Sequence, residues 1–160
     1  VEWYKKGQNG ELWNGGGLSM FLGEYKHAID NKSRLTIPAK FREALAGECV
    51  IAKGLDGCLT IYPMSEWALV CEKIDAKPSS DPKVRRFKRL FYASASVETI
   101  DKQGRVSIPP ALKAHAAIDS EVVVVGESNV IELWSSQRWE NNQMDEGGES
   151  LEDLAYMLGL

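Results

Sequence analysis

Two five-residue motifs hold the residues best suited to chemistry. Asp30-x-x-x-Arg34 and Asp101-x-x-x-Arg105 repeat one spacing of a carboxylate and a guanidinium. A guanidinium is a rigid fork of N–H donors that grips a phosphate bidentately or reads O6 and N7 of guanine in the major groove. Arg34 and Arg105 are therefore the leading candidates for nucleic-acid contact. A second reading stays open on the residues alone. Asp30 with Arg34 and Asp101 with Arg105 could simply brace a local turn, a kind of exposed pair that contributes little stability. Lys26, Lys32 and Lys102 lie in or beside the motifs and are candidate phosphate contacts, which position a protein without conveying sequence. A solvated surface lysine is the plainer account of any one of them. Thr36 and Ser107 each follow their arginine by two residues and add a hydroxyl on the same side of an extended strand.

Other chemistries find little support. Cys49, Cys58 and Cys71 are odd in number and lack CxxC pairing, so neither a disulfide framework nor a zinc site is expected, and all three read as packing residues. His27 and His115 stand apart, without a second ligand or a nucleophile at useful spacing, and read as structural. No Walker loop or dinucleotide fingerprint occurs, and no nucleophile, base and oxyanion donor cluster together. The expectation is a non-enzyme with no cofactor, no metal and no membrane span. The net charge of −4 seems unsuited to DNA until its distribution is read: residues 20–139 carry 17 bases against 15 acids. Residues 140–160 hold Glu140, Asp145, Glu146, Glu149, Glu152 and Asp153 with no base. A mildly basic body with an acidic tail is compatible with DNA, although the local field matters more than the total.

The elements that must position the two motifs come as a repeat. Residues 29–38 (IDNKSRLTIP) recur as residues 100–109 (IDKQGRVSIP). Each is followed by a short helical stretch (39–45 and 110–116), then by an apolar strand, a turn and a second apolar strand (59–62 and 130–134). Trp67 and Trp139 close the two units, and with Trp134 they are expected to complete a core. The predicted order in each unit is strand, turn, strand, short helix, strand, turn, strand, helix. Asp30 and Asp101 can accept hydrogen bonds from amides two residues on, making each motif a tight hairpin. Pro38 and Pro109 suit the first turn of a helix. Alternation places Leu35 and Ile37 on the core side of their strand and Arg34 and Thr36 on the other; Val106 and Ile108 oppose Arg105 and Ser107 in the same way. Between the units, helices are predicted over 65–77 and 82–92, separated by a Pro- and Ser-rich breaker. In the second, Val84, Phe87, Leu90 and Phe91 form one apolar stripe, and Arg85, Arg86, Lys88 and Arg89 form a basic face assigned first to packing and subunit contacts. A further helical pattern lies in residues 149–160.

This combination resembles the MraZ family from residue 20 to residue 160. The resemblance rests on Met20-Phe21-Leu22-Gly23, the two Asp-x-x-x-Arg repeats, Cys58-Leu59-Thr60-Ile61-Tyr62-Pro63, Arg89-Leu90 and Ile131-Glu132-Leu133-Trp134. It implies an α+β, β-rich fold of two tandem AbrB-like repeats of the swapped-hairpin, double-split β-barrel type with interposed helices. It further implies a cytoplasmic, nucleoid-associated regulator that assembles as a homo-oligomeric ring and binds double-stranded DNA with repeated boxes. Those boxes would lie upstream of the division and cell-wall gene cluster, including its own promoter. A rival reading is an oligomeric scaffold without DNA specificity. The expected units are 20–67, a helical linker 68–93, 94–139, and an acidic tail 140–160. Ser33 stands where Gly104 stands in the second motif, so the first turn is expected to differ in type. Residues 1–19 are expected to be disordered or a non-native extension, either a translated ribosome-binding run before Met20 or an expression-vector remnant.

Overall fold

A computed structural model describes residues 20–143 and 148–160; the expectations for residues 1–19 fall outside it. The predicted element order is present in both units. The first contains β1 (Phe21–Ala28), β2 (Arg34–Thr36), α1 (Ala39–Leu45), β3 (Glu48–Lys53), a 3-10 turn (Leu55–Gly57), β4 (Leu59–Pro63) and α2 (Met64–Asp75). After α3 (Pro82–Tyr92) the second contains β5 (Ser96–Thr99), β6 (Arg105–Ser107), α4 (Pro110–His115), β7 (Glu121–Ser128), β8 (Val130–Ser135) and α5 (Ser136–Gln143). A last helix, α6, spans Leu151–Leu158. The fold is α+β, as expected.

The strands of one unit pair with those of the other. One antiparallel sheet runs β1-β7-β8-β4-β3-β5, and a separate ribbon pairs β2 with β6. Exchanging the units reverses the first order onto itself, so the chain has an internal pseudo-two-fold. Apolar alternation drives this. Phe21, Leu35, Ile37, Ile51, Ile61, Val106, Ile108, Val124 and Leu133 enter one shared core from both sheets. Burying each such side chain contributes about 1.5–3 kcal/mol, which neither unit could obtain alone with a three-residue strand.

The tight hairpin turn expected at each motif is present: Asp30 N–H donates to the Arg34 carbonyl at 3.1 Å and Asp101 N–H to that of Arg105 at 2.9 Å. Beyond the turns the arms part, β1 pairing with β7 and β5 with β3. One local expectation is corrected: Pro38 and Pro109 lie just before their helices rather than inside the first turn, with ψ of 134° and 145°. Pro110, which follows Pro109, takes the first helical position and holds its predecessor extended. Trp134 is buried as expected, whereas Trp67 and Trp139 remain half-buried. Cys49 and Cys58 are buried, and burial pushes the Cys49 thiol up to about 12, which suits an inert packing role; Cys71 is only partly covered. Among the described residues no helix is long and apolar enough to cross a membrane, and no His, Cys, Asp and Glu cluster could hold a metal ion.

Candidate nucleic-acid interface

The β2–β6 ribbon collects four of the candidate side chains on one surface. In its register Arg34 faces Ser107, Leu35 faces Val106, and Thr36 faces Arg105. Leu35 and Val106 point into the core and are fully or almost fully buried. The neighbouring positions must therefore point outward, so two arginines and two hydroxyls from different units share one face. Arg34 and Arg105 are diagonal neighbours, a relation of about 7–8 Å across an antiparallel pair. The ribbon extends one step at each end, because Ile37 N–H donates to the Gly104 carbonyl at 2.8 Å and Ile108 N–H donates to that of Ser33 at 2.9 Å.

Each arginine is held at its base by its own aspartate. The Nε of Arg34 donates to Oδ2 of Asp30 at 2.8 Å, and the Nε of Arg105 donates to Oδ2 of Asp101 at 2.8 Å. The other oxygen, Oδ1, accepts backbone N–H bonds from Lys32 and Arg34 in the first turn and from Gln103 and Arg105 in the second, all at 2.8–2.9 Å. The backbone N–H of Arg34 does most to hold the Asp30 carboxyl below the usual range, and that of Arg105 does the same for Asp101. Both aspartates thus stay ionised while they orient an arginine. Each arginine meets its aspartate through Nε, so among the described residues the two terminal nitrogens of each guanidinium take no part in that pair.

The two turns are built alike despite Ser33. Ser33 has φ 59° and Gly104 has φ 79°, both left-handed, so the expected difference in turn type is not found. What differs is the cation that reaches each turn from the opposite unit. Arg42 of α1 lies against Gly104, where any Cβ would overlap its guanidinium, and its Nε donates to the Ile37 carbonyl at 2.8 Å. Lys113 of α4 occupies the same repeat position as Arg42 and donates from Nζ to Ser33 Oγ at 3.0 Å. Sequence reasoning missed Arg42, Lys113 and Ser33 as members of this site. The available signal was a cation at one shared position in both short helices.

The lysines are dispersed. Lys32 and Lys102 are exposed at the turn tips, but at different positions of the two turns. Lys26 is not brought to the ribbon: it lies in β1 opposite Val123 and lines a shallow cavity with Glu24 and Trp139 beside α5. His115 is half-buried, and its carbonyl accepts from Arg138 Nη1 at 2.9 Å.

The duplication of the unit agrees with what comparison finds. A family model described as "MraZ protein, putative antitoxin-like" matches residues 20–90 and again 91–155. The chain belongs to the MraZ family. It is 48% identical over 120 residues to a protein of Thermomicrobium roseum named transcriptional regulator MraZ, covering 75% of this chain and 84% of that one. Proteins of the same name from Pediococcus pentosaceus (46% over 139 residues, 87% and 96% covered) and Halothermothrix orenii (46% over 136 residues, 85% and 94% covered) are similar along nearly their whole length. These relatives carry the role of transcriptional regulator in their names.

Proposed function

We propose that this chain is a sequence-specific DNA-binding transcriptional regulator whose reading surface is the β2–β6 ribbon. The observation that carries the reading is the convergence of Arg34, Thr36, Arg105 and Ser107 from two units on one face away from the core, where Ser107 is exposed and the other three are half-buried. The B-DNA major groove is about 12 Å wide and admits a two-stranded β-ribbon. In this reading the guanidinium forks meet guanine edges or phosphates, the hydroxyls add shorter contacts, and Lys32 and Lys102 hold the flanking backbone. Lys26 serves a more distant phosphate. Asp30 and Asp101 are positioning residues. Together with the family membership, the resemblance points to repeated boxes upstream of the division and cell-wall genes, including the protein's own promoter, and to a nucleoid location.

One ribbon offers few contacts, so affinity is assigned to several copies acting together as a homo-oligomeric ring. Linked modules on matching sites gain about a hundredfold or more in avidity. The test is fluorescence anisotropy of the full chain with its own upstream DNA, with a single box from it, and with scrambled DNA, across a salt series. The expected result is specific binding that falls steeply with salt through counterion release and is far tighter for repeated boxes than for one. Equal binding to one box and several would remove the avidity argument. No binding at all would favour the scaffold reading, in which the Asp–Arg pairs only brace the turns.

A further inference from the structure

Helices α2 and α3 leave part of the apolar stripe of α3 uncovered. Their body-side contacts are firm: Trp67 stacks on Phe91 at 5.4 Å, and Tyr92 Oη donates to Asp75 at 3.1 Å. Beyond these contacts, Lys73, Ile74, Lys77, Lys83, Val84 and Phe87 line a groove of about 350 Å³. Phe87 is 42% exposed and Leu90 51%. Helix α3 carries Lys83, Arg85, Arg86, Lys88 and Arg89 and no acid. The result is an apolar floor with a cationic rim.

Helix α6 has the opposite character. It is closed at its start by a capping box between Ser150 and Asp153, and at its end by Gly159 at φ 75°. This gives it a defined start and stop although Leu151 and Leu158 are 80% and 72% exposed. Leu151, Leu154 and Leu158 fall on one stripe. The segment around it, residues 140–160, holds six acids and no base. Both faces stay exposed within one chain, which leaves a second copy to bring them together.

We propose that α6 of one copy docks in the α2–α3 groove of a second copy, with its leucine stripe on Ile74, Val84 and Phe87 and its acids against Lys73, Lys77 and Lys83. This rests on the homo-oligomer reading above and names the contact that builds it. Donor and acceptor are different surfaces, so the contact is head-to-tail; such contacts propagate and stop only when a ring closes.

The test is the mass of the full chain by light scattering, for wild type, a helix variant (Leu154→Asp with Leu158→Asp), a groove variant (Val84→Asp with Phe87→Asp) and their equimolar mixture. All four positions are exposed or partly so, and circular dichroism melting checks that each variant is folded. Wild type is expected to be a multi-subunit species and each variant a single chain. The mixture is expected to reach the mass of two chains, because it joins one intact groove to one intact helix and can go no further. Charge reversal of Lys73→Glu with Lys83→Glu should likewise dissociate the assembly, and adding Glu149→Lys with Glu152→Lys should restore it. A variant that keeps the wild-type mass overturns the proposal and leaves the oligomer standing. A mixture that stays monomeric overturns it as well, placing α6 on its own chain. A monomeric wild type removes the homo-oligomer reading itself.

Discussion

The turns at residues 30–34 and 101–105 reach one geometry by different means. Both hold an aspartate at the first position, a left-handed residue at the fourth and an arginine at the fifth, with ion-pair distances of 2.8 Å in each. The second uses glycine at the left-handed position, for two separate reasons: the φ of 79° and the guanidinium of Arg42 lying where a Cβ would be. The first uses Ser33, whose left-handed backbone costs about 1–2 kcal/mol. Its hydroxyl accepts from Lys113, a bond worth about 0.5–1.5 kcal/mol net, which offsets much of that strain. A rule that reads glycine as the mark of such a turn fails here because the partner from the opposite unit decides what fits.

This contrast can be broken by substitution. Gly104→Ala is expected to have the largest effect on stability, about 2 kcal/mol by urea denaturation, from left-handed strain plus displacement of Arg42 and its bond to Ile37. In an Arg42→Ala background the overlap is gone and only the backbone part, about 1 kcal/mol, should remain. An unchanged cost in that background would show that Arg42 is not what demands the glycine. Ser33→Gly works in the other direction. It relieves the strain but loses the Lys113 contact, so a gain of only about 0.5 kcal/mol is expected; a loss would mean that the Lys113 bond outweighs the strain.

The smallest effect is on acid stability, where the turns should behave alike. Both aspartates titrate below the ordinary carboxylate value in the folded chain. Their contribution is therefore complete above the unfolded value, about 4, and disappears as pH falls through the lower folded value. Thermal melts of Asp30→Asn and Asp101→Asn should lie below wild type at pH 7 and converge with it in strong acid. A gap that persists in acid for one of them would separate the two turns.

Much of the local structure is legible in the sequence. The recurrence of IDNKSRLTIP as IDKQGRVSIP, the alternation around Leu35 and Val106, and the breaker between the middle helices place nearly every element. The exchange of strands between units is not legible in the alternation itself; only the family resemblance, through its swapped-hairpin type, implies it. β1 with β7 and β3 with β5 are long-range pairings that satisfy the same alternation a hairpin ladder would. For the site, alternation indicates that Arg34 and Thr36 share a face, and likewise Arg105 and Ser107. Only the β2–β6 register makes the two faces one. Arg42 and Lys113 were hidden because each serves the turn of the other unit. Lys26 was drawn in by nearness in sequence, whereas β1 carries it away along the large sheet.

The proposed function rests on the two turns forming a single reading surface. Its most direct test is the affinity of Arg34→Ala, Arg105→Ala and the double variant for the protein's upstream DNA, by fluorescence anisotropy at fixed salt, with oligomer mass checked in parallel. Each single variant is expected to lose about 1–3 kcal/mol of specific binding, roughly 5- to 150-fold, the double variant to bind no better than wild type binds scrambled DNA, and the assembly to stay intact throughout. Wild-type affinity in both single variants would contradict it, leaving the arginines as braces of their turns.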